Sequence, residues 1–124
     1  MYTLNIVNNY SYDCVFTNQA TGKDAIVNHN YQATFNNMGS GYLTVPGIGS
    51  VNFLDLGDKK IEGYPIPKET WGVLVRFSTV EAYYRYEGGG ELTATIDQYG
   101  SCTLSTSNGT MITISLPEFT IKEQ

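Results

Sequence analysis

Residues able to do covalent chemistry are scarce in this chain, and none falls into a spacing that would organise them. The single histidine, His29, could be written with Ser40 and Asp24 as a nucleophile, base and orienting acid, but the Gly-x-Ser-x-Gly turn that exposes a serine nucleophile is missing. Glu87 and Glu91 flank Gly88-Gly89-Gly90, which brings to mind the paired carboxylates of a small glycoside hydrolase. An exposed turn does not lift a carboxyl pKa as an acid catalyst requires, so a solvated hairpin tip is the simpler reading. Asp55-Leu56-Gly57-Asp58 and Glu62 offer hard oxygen ligands to calcium, yet the spacing departs from the EF-hand loop and Lys59-Lys60 lie alongside. Cys14 and Cys102 belong to no Cys-x-x-Cys motif, and with one histidine they cannot complete a zinc site. The expectation is a protein that is not an enzyme and holds neither metal nor cofactor.

Recognition chemistry is better represented. Ten tyrosines stand among 124 residues, and three of them, Tyr83, Tyr84 and Tyr86, fall in Val80-Glu81-Ala82-Tyr83-Tyr84-Arg85-Tyr86. Successive side chains of a strand point to opposite faces, so one core cannot bury all three rings. A tyrosine presents a flat apolar face and a hydroxyl with few rotors to freeze, which suits sugars, lipid headgroups or proteins. The densest aromatic stretch therefore supplies the expected ligand contacts: Trp71, Tyr83, Tyr84 and Tyr86, with Arg85 for hydrogen bonds and amide help from Asn36 and Asn37. Tyr83 and Tyr84 should face opposite sides of their sheet. The leading functional expectation is a non-catalytic, lectin-like carbohydrate-binding module using an aromatic face and Asn-rich loops. The alternative is a lipid-binding, pore-forming or insecticidal toxin-like protein, and homo-oligomerisation through Tyr-rich edge strands is compatible with either.

The elements that must position these residues read as strands. Leu4 and Ile6, Val73, Val75 and Phe77, Leu92, Ala94 and Ile96, and Ile112, Ile114 and Leu116 each alternate with their neighbours at period two, while helical periodicity is absent. Further strands are expected over residues 13–18, 31–36, 41–45, 50–56, 101–106 and 119–122. Asn108-Gly109 fits a type I′ hairpin turn, because both central positions of that turn need positive φ. The triple glycine and Gln98-Tyr99-Gly100 also read as hairpin turns, so residues 71–79, 82–87, 91–97, 101–106 and 111–116 are expected to form a meander. Asn8-Asn9, Asn28-His29-Asn30 and Asn36-Asn37 mark loop tips, since asparagine bonds its own backbone in turns. The irregular stretch over residues 57–67 is expected to cross between sheets, with at most a short helical turn near 59–63 or 67–70. The fold expectation is all-β: one antiparallel β-sandwich domain over residues 1–124, jelly-roll or Greek-key like, with about nine or ten short strands.

Charge and composition narrow the partners. A net charge of −5 with seven Lys plus Arg and no basic run removes the electrostatic footprint of a nucleic-acid binder. The start, Met1-Tyr2-Thr3-Leu4-Asn5-Ile6-Val7, shows neither the basic lead-in nor the apolar core of a signal peptide, and no apolar run is long enough to cross a membrane as a helix. A protein that stays in the cytoplasm or is released without a classical signal is expected. Asn9-Tyr10-Ser11 and Asn108-Gly109-Thr110 match the N-glycosylation pattern, too short a signal in an Asn-rich chain to establish secretion. A Cys14–Cys102 disulfide would close a loop of about 90 residues and add roughly 4–5 kcal/mol; a reducing compartment would keep both as buried thiols, and free thiols are favoured.

Val7-Asn8-Asn9-Tyr10-Ser11, a turn at Gly22 and Tyr31-Gln32-Ala33-Thr34-Phe35 together resemble the opening of the aegerolysins, small acidic β-sandwich proteins that bind membrane lipids and act with partners as pore-formers or insecticidal toxins. The likeness covers the first third of the chain. The Trp-rich elements of that family are absent, Trp71 being the sole tryptophan, and the cysteines are followed by Val15 and Thr103 rather than by the family's pattern. No residue role is carried across, and the likeness bears only on the toxin-like alternative.

Overall fold

A computed structural model describes residues 1–57, 70–77, 80–87 and 89–106. Within them the chain forms ten strands: β1 (Tyr2–Asn8), β2 (Cys14–Asn18), β3 (Lys23–Val27), β4 (Tyr31–Met38), β5 (Gly41–Val45), β6 (Gly49–Gly57), β7 (Thr70–Phe77), β8 (Val80–Glu87), β9 (Gly90–Ile96) and β10 (Cys102–Thr106). No helix occurs among the described residues. Period-two alternation is written directly into burial. In β1, Tyr2, Leu4, Ile6 and Asn8 are buried and the residues between them are half-buried; β9 and β5 repeat the pattern.

Two sheets pack face to face. One has four strands in the order β10-β9-β1-β4, the other six in the order β3-β2-β5-β6-β7-β8. Their inner faces merge into one core, in which Leu4, Ile6, Leu92, Ala94 and Leu104 of the smaller sheet meet Phe16, Leu43, Phe53, Val73 and Val75 of the larger. The sandwich expected from the alternation is present, with one departure from purely antiparallel order among the described residues: β1 and β9 run parallel, from Tyr2 opposite Gly90 to Asn8 opposite Ile96.

That parallel pair changes the expected meander. β7–β8 and β9–β10 are antiparallel hairpin partners, but β8 edges the larger sheet while β9 lies inside the smaller one. The glycine-rich link therefore crosses between sheets instead of turning within one. Gly90 shows why glycine is needed there: a Cβ would lie 2.6 Å from Cγ of Tyr86 and 2.7 Å from the Tyr84 hydroxyl. The stretch over residues 57–67 that was expected to cross between sheets lies outside the described residues after Gly57, while β6 and β7 on either side of it pair within the larger sheet, from Asn52 opposite Arg76 to Gly57 opposite Gly72.

Two further differences are local. β3 was not anticipated, since Lys23 and Asp24 weaken its strand pattern, yet pairing with β2 from Cys14–Val27 to Asn18–Lys23 forms it. Asn36 and Asn37 lie inside β4 rather than at a loop tip, with Asn37 at φ 53°. The Asn28-His29-Asn30 segment is the turn expected, with Asn30 at φ 69° and Tyr31 N–H donating to the Asn28 carbonyl at 3.1 Å. The Asn108-Gly109 turn, the strands at 111–116 and 119–122 and the helical turn near 59–63 lie outside the described residues, as does most of 67–70; Thr70 opens β7. Cys14 and Cys102 are free and buried.

Candidate functional site

Alternation along β8 separates the expected aromatic site into two faces. Tyr84 and Tyr86 point inward and are 3% and 4% exposed, so they are core residues and not a ligand platform. Inside, Tyr84 stacks on Tyr86 at 5.4 Å, Tyr86 stacks on half-buried Trp71 at 6.2 Å and meets Tyr2 at 6.0 Å. The register explains this, since Trp71 lies opposite Tyr86 and shares the inward face of Val73 and Val75. Burial, helped by the Asp55 charge and by Tyr84, pushes the Tyr86 phenol up to about 12. The Tyr84 hydroxyl accepts the Glu91 N–H at 2.9 Å and so joins β8 to β9. These rings close one end of the sandwich.

Tyr83 and Arg85 face the other way, as expected for neighbours of Tyr84. Tyr83 lies over Gly72 of β7, where a Cβ would meet its ring at 2.7–2.8 Å. Burial raises its phenol above the ordinary value, and the nearby Arg85 guanidinium acts in the opposite direction. Next to them Arg76 and Glu81 form an exposed ion pair at 2.7 Å. Asn36 and Asn37 belong to the other sheet, on edge strand β4, where Asn36 Oδ1 accepts the Thr3 hydroxyl at 3.4 Å. The seven residues expected to act together thus occupy the core, the outer face of β8 and the opposite sheet.

The acid–base candidates are likewise dispersed. His29 N–H donates to Asp13 Oδ1, the Ser40 hydroxyl accepts from Asp55 N–H, and Asp24 Oδ1 accepts from the Thr17 hydroxyl. Glu91 accepts the Asn5 amide at 2.8 Å. Asp55 Oδ1 accepts the Gly57 N–H; Asp58 and Glu62, its expected calcium partners, lie outside the described residues. Among the described residues no three His, Cys, Asp or Glu groups gather as a metal site.

A different set of tyrosines lies at the opposite end of the sandwich, which the β1–β2, β3–β4, β5–β6 and β9–β10 connections share. Tyr12, Tyr31 and Tyr99 are 62%, 70% and 58% exposed, and Tyr10 packs edge-on against Tyr12 at 5.5 Å. Strand register brings them together: Asn8 lies opposite both Tyr31 and Ile96, and the Tyr10 ring lies against Gly100, beside Tyr99.

Buried Asn8 is the pin of this end. Its amide nitrogen donates to the carbonyls of Tyr12 at 3.0 Å and Val27 at 2.9 Å, and its Oδ1 accepts the Tyr10 N–H at 2.9 Å. One side chain, using both of its donors and its acceptor, thereby ties the β1–β2 connection at two points and fastens it to the end of β3. The Tyr10 hydroxyl donates to the Pro46 carbonyl at 2.9 Å, and Asp97 Oδ1 accepts from the N–H groups of Tyr99 and Ser101 at 2.8 and 2.9 Å. Exposed rings therefore stand on braced backbone. The sequence marks the β1–β2 and β3–β4 connections by their asparagines, but nothing in it shows that Tyr12, Tyr31 and Tyr99, far apart along the chain, share one end.

No family model matches the chain, and no curated protein or solved structure matches it significantly.

Proposed function

We propose that this chain is a non-catalytic, carbohydrate-binding module whose ligand is held at the braced loop end by Tyr12, Tyr31 and Tyr99, with the asparagine-rich turns supplying amide and carbonyl groups. The observation that carries the reading is that three exposed tyrosines, two on loops and one at the start of β4, share the end of the sandwich braced by Asn8, Asp97 and Asp13. Rigid aromatic faces beside amides match a sugar ring, which offers C–H groups to stack and hydroxyls to bond.

Charge favours this over an anionic lipid surface. Residues 9–13, 28–30, 46–48 and 97–101 contain no Lys or Arg but do contain Asp13 and Asp97, whereas binding to anionic membranes draws on basic groups. The toxin-like alternative then requires a neutral lipid headgroup. A glycan array read beside co-sedimentation with neutral vesicles distinguishes the two. Tyr12→Ala and Tyr99→Ala should each weaken glycan binding roughly tenfold at an unchanged melting temperature. Binding indifferent to both and to Tyr31→Ala, or binding to neutral vesicles without any glycan, would overturn the reading.

A further inference from the structure

Sheet edges invite pairing with another chain, and proteins blunt them by shortness, charge, proline or bulges. Among the described residues the edge strands are β3 and β8 in the larger sheet and β10 and β4 in the smaller. β3 begins with exposed Lys23 and Asp24, β8 carries Glu81, Arg85 and Glu87, and β10 is five residues long. β4 runs for eight residues, Tyr31-Gln32-Ala33-Thr34-Phe35-Asn36-Asn37-Met38, with no charge, proline or glycine. Its register against β1 shifts between Phe35 and Met38, where Asn37 has φ 53°. Residues 31–35 precede that irregularity. They pair with β1 without interruption, from Asn8 opposite Tyr31 to Leu4 opposite Phe35, and β1 is their one strand partner among the described residues.

The inner face of this stretch is incompletely covered. Ala33 and Phe35 are only partly buried, although the Phe35 ring lies 4.7 Å from that of core Phe16, and Tyr31, on the same face by alternation, is 70% exposed. The stretch is also complementary to itself. A two-fold axis normal to the sheet pairs β4 with a second β4 antiparallel and keeps inner side chains on the inner face, so the axis must pass through a residue. Centred on Ala33, the register sets Tyr31 opposite the partner's Phe35 at both ends of the pairing, with the small Ala33 facing its own copy between them. On the outer face it sets Gln32 opposite the partner's Thr34. The Thr34 hydroxyl donates to Asn5 Oδ1 at 2.9 Å and keeps its lone pairs for a glutamine amide. Centred on Thr34 instead, Gln32 would meet the partner's Asn36 inside the shifted segment; centred on Gln32, Thr34 would meet the partner's Asn30, which sits in the turn at φ 69°.

We infer that the protein forms a symmetric dimer through antiparallel pairing of residues 31–35 of β4 with the same residues of a second copy, centred on Ala33. The two four-stranded sheets become one of eight strands, and each exposed Tyr31 gains an aromatic neighbour across the strand pair. Both this pairing and the glycan reading draw on Tyr31, so a glycan and a second copy compete for that ring. Self-association is therefore measured without glycan, where its outcome is independent of the glycan reading.

Sedimentation of the glycan-free native chain from about 1 µM to 1 mM should show a monomer–dimer equilibrium, since edge pairing alone is a small interface. Gln32 and Thr34 are exposed and lie on the outer face, so they can be changed without touching the core. Gln32→Lys combined with Thr34→Lys, folded by circular dichroism, should weaken self-association roughly tenfold or more, because both outer rungs become like-charged. Gln32→Glu combined with Thr34→Glu should do the same. Mixing the two double variants should restore dimer as a heterodimer, in which both rungs pair opposite charges. Ala33→Cys should cross-link into dimers on oxidation, because residues directly opposite lie within disulfide reach, whereas Thr34→Cys should not. A native chain that is monomeric throughout, double variants that dimerise undiminished, a mixture that stays monomeric, or no cross-link at residue 33 would each overturn the inference.

Discussion

Replacing Asn8 by alanine should destabilise the protein more than its position at a strand end suggests. The side chain is fully buried and makes three hydrogen bonds, to the Tyr12 and Val27 carbonyls and from the Tyr10 N–H, at 2.9 to 3.0 Å. At about 1 kcal/mol per bond the loss is roughly 3 kcal/mol, and the stranded Val27 carbonyl raises it to about 3–4 kcal/mol. That is a large share of the roughly 5–15 kcal/mol that holds a domain together, and it corresponds to a melting temperature lower by about 10–15 °C. Asn8→Asp keeps the acceptor for Tyr10 but turns an oxygen toward two carbonyls, so at neutral pH it should be worse than alanine. Its carboxyl would be raised in the folded state, so the deficit should shrink as pH falls through that value and the acid takes up its proton. Urea unfolding of the three proteins at neutral and mildly acidic pH measures all of this. A cost below about 1 kcal/mol for Asn8→Ala, or an Asn8→Asp more stable than alanine at pH 7, would show that the loop end is not pinned as argued.

Gly90→Ala should cost about 1–3 kcal/mol in the same assay, because the new methyl would overlap Cβ and Cγ of Tyr86, atoms that cannot swing aside like the tip of a long side chain. Gly89→Ala, with open space around it, is its control. Alkaline pH should destabilise the chain through its thiols. Burial raises Cys14 from 9.0 to about 11 and Cys102 from 9.0 to about 12. Above pH 9 the unfolded chain sheds protons that the folded one retains, so stability is complete below pH 9 and declines as pH rises toward 11 and 12. Cys14→Ala with Cys102→Ala should flatten that decline in urea titrations from pH 8 to 11, and an unchanged slope would exclude the thiols as its source.

Local pattern by itself determined the strands. Where apolar and polar residues alternate, as in β1, β7 and β9, only an extended chain with one face inward satisfies both sets, so element type and burial follow without knowledge of partners. The same alternation determined that Tyr83 and Tyr84 must part. Which of them goes inside is not a local property: it depends on which face of β8 meets the smaller sheet, and β9 crossing over at Gly90 decides that. Sheet membership was invisible for the same reason. A glycine-rich turn looks alike whether it closes a hairpin or carries the chain across a sandwich, and only the parallel seat beside β1 shows that β9 crosses. β3 exists through pairing with β2 rather than through its own preference. The candidate site lay beyond reach altogether, because Tyr12, Tyr31 and Tyr99 are far apart along the chain and come to one end only through the Asn8 bond to Tyr12 and the strand register that sets Tyr31 and Ile96 beside Asn8.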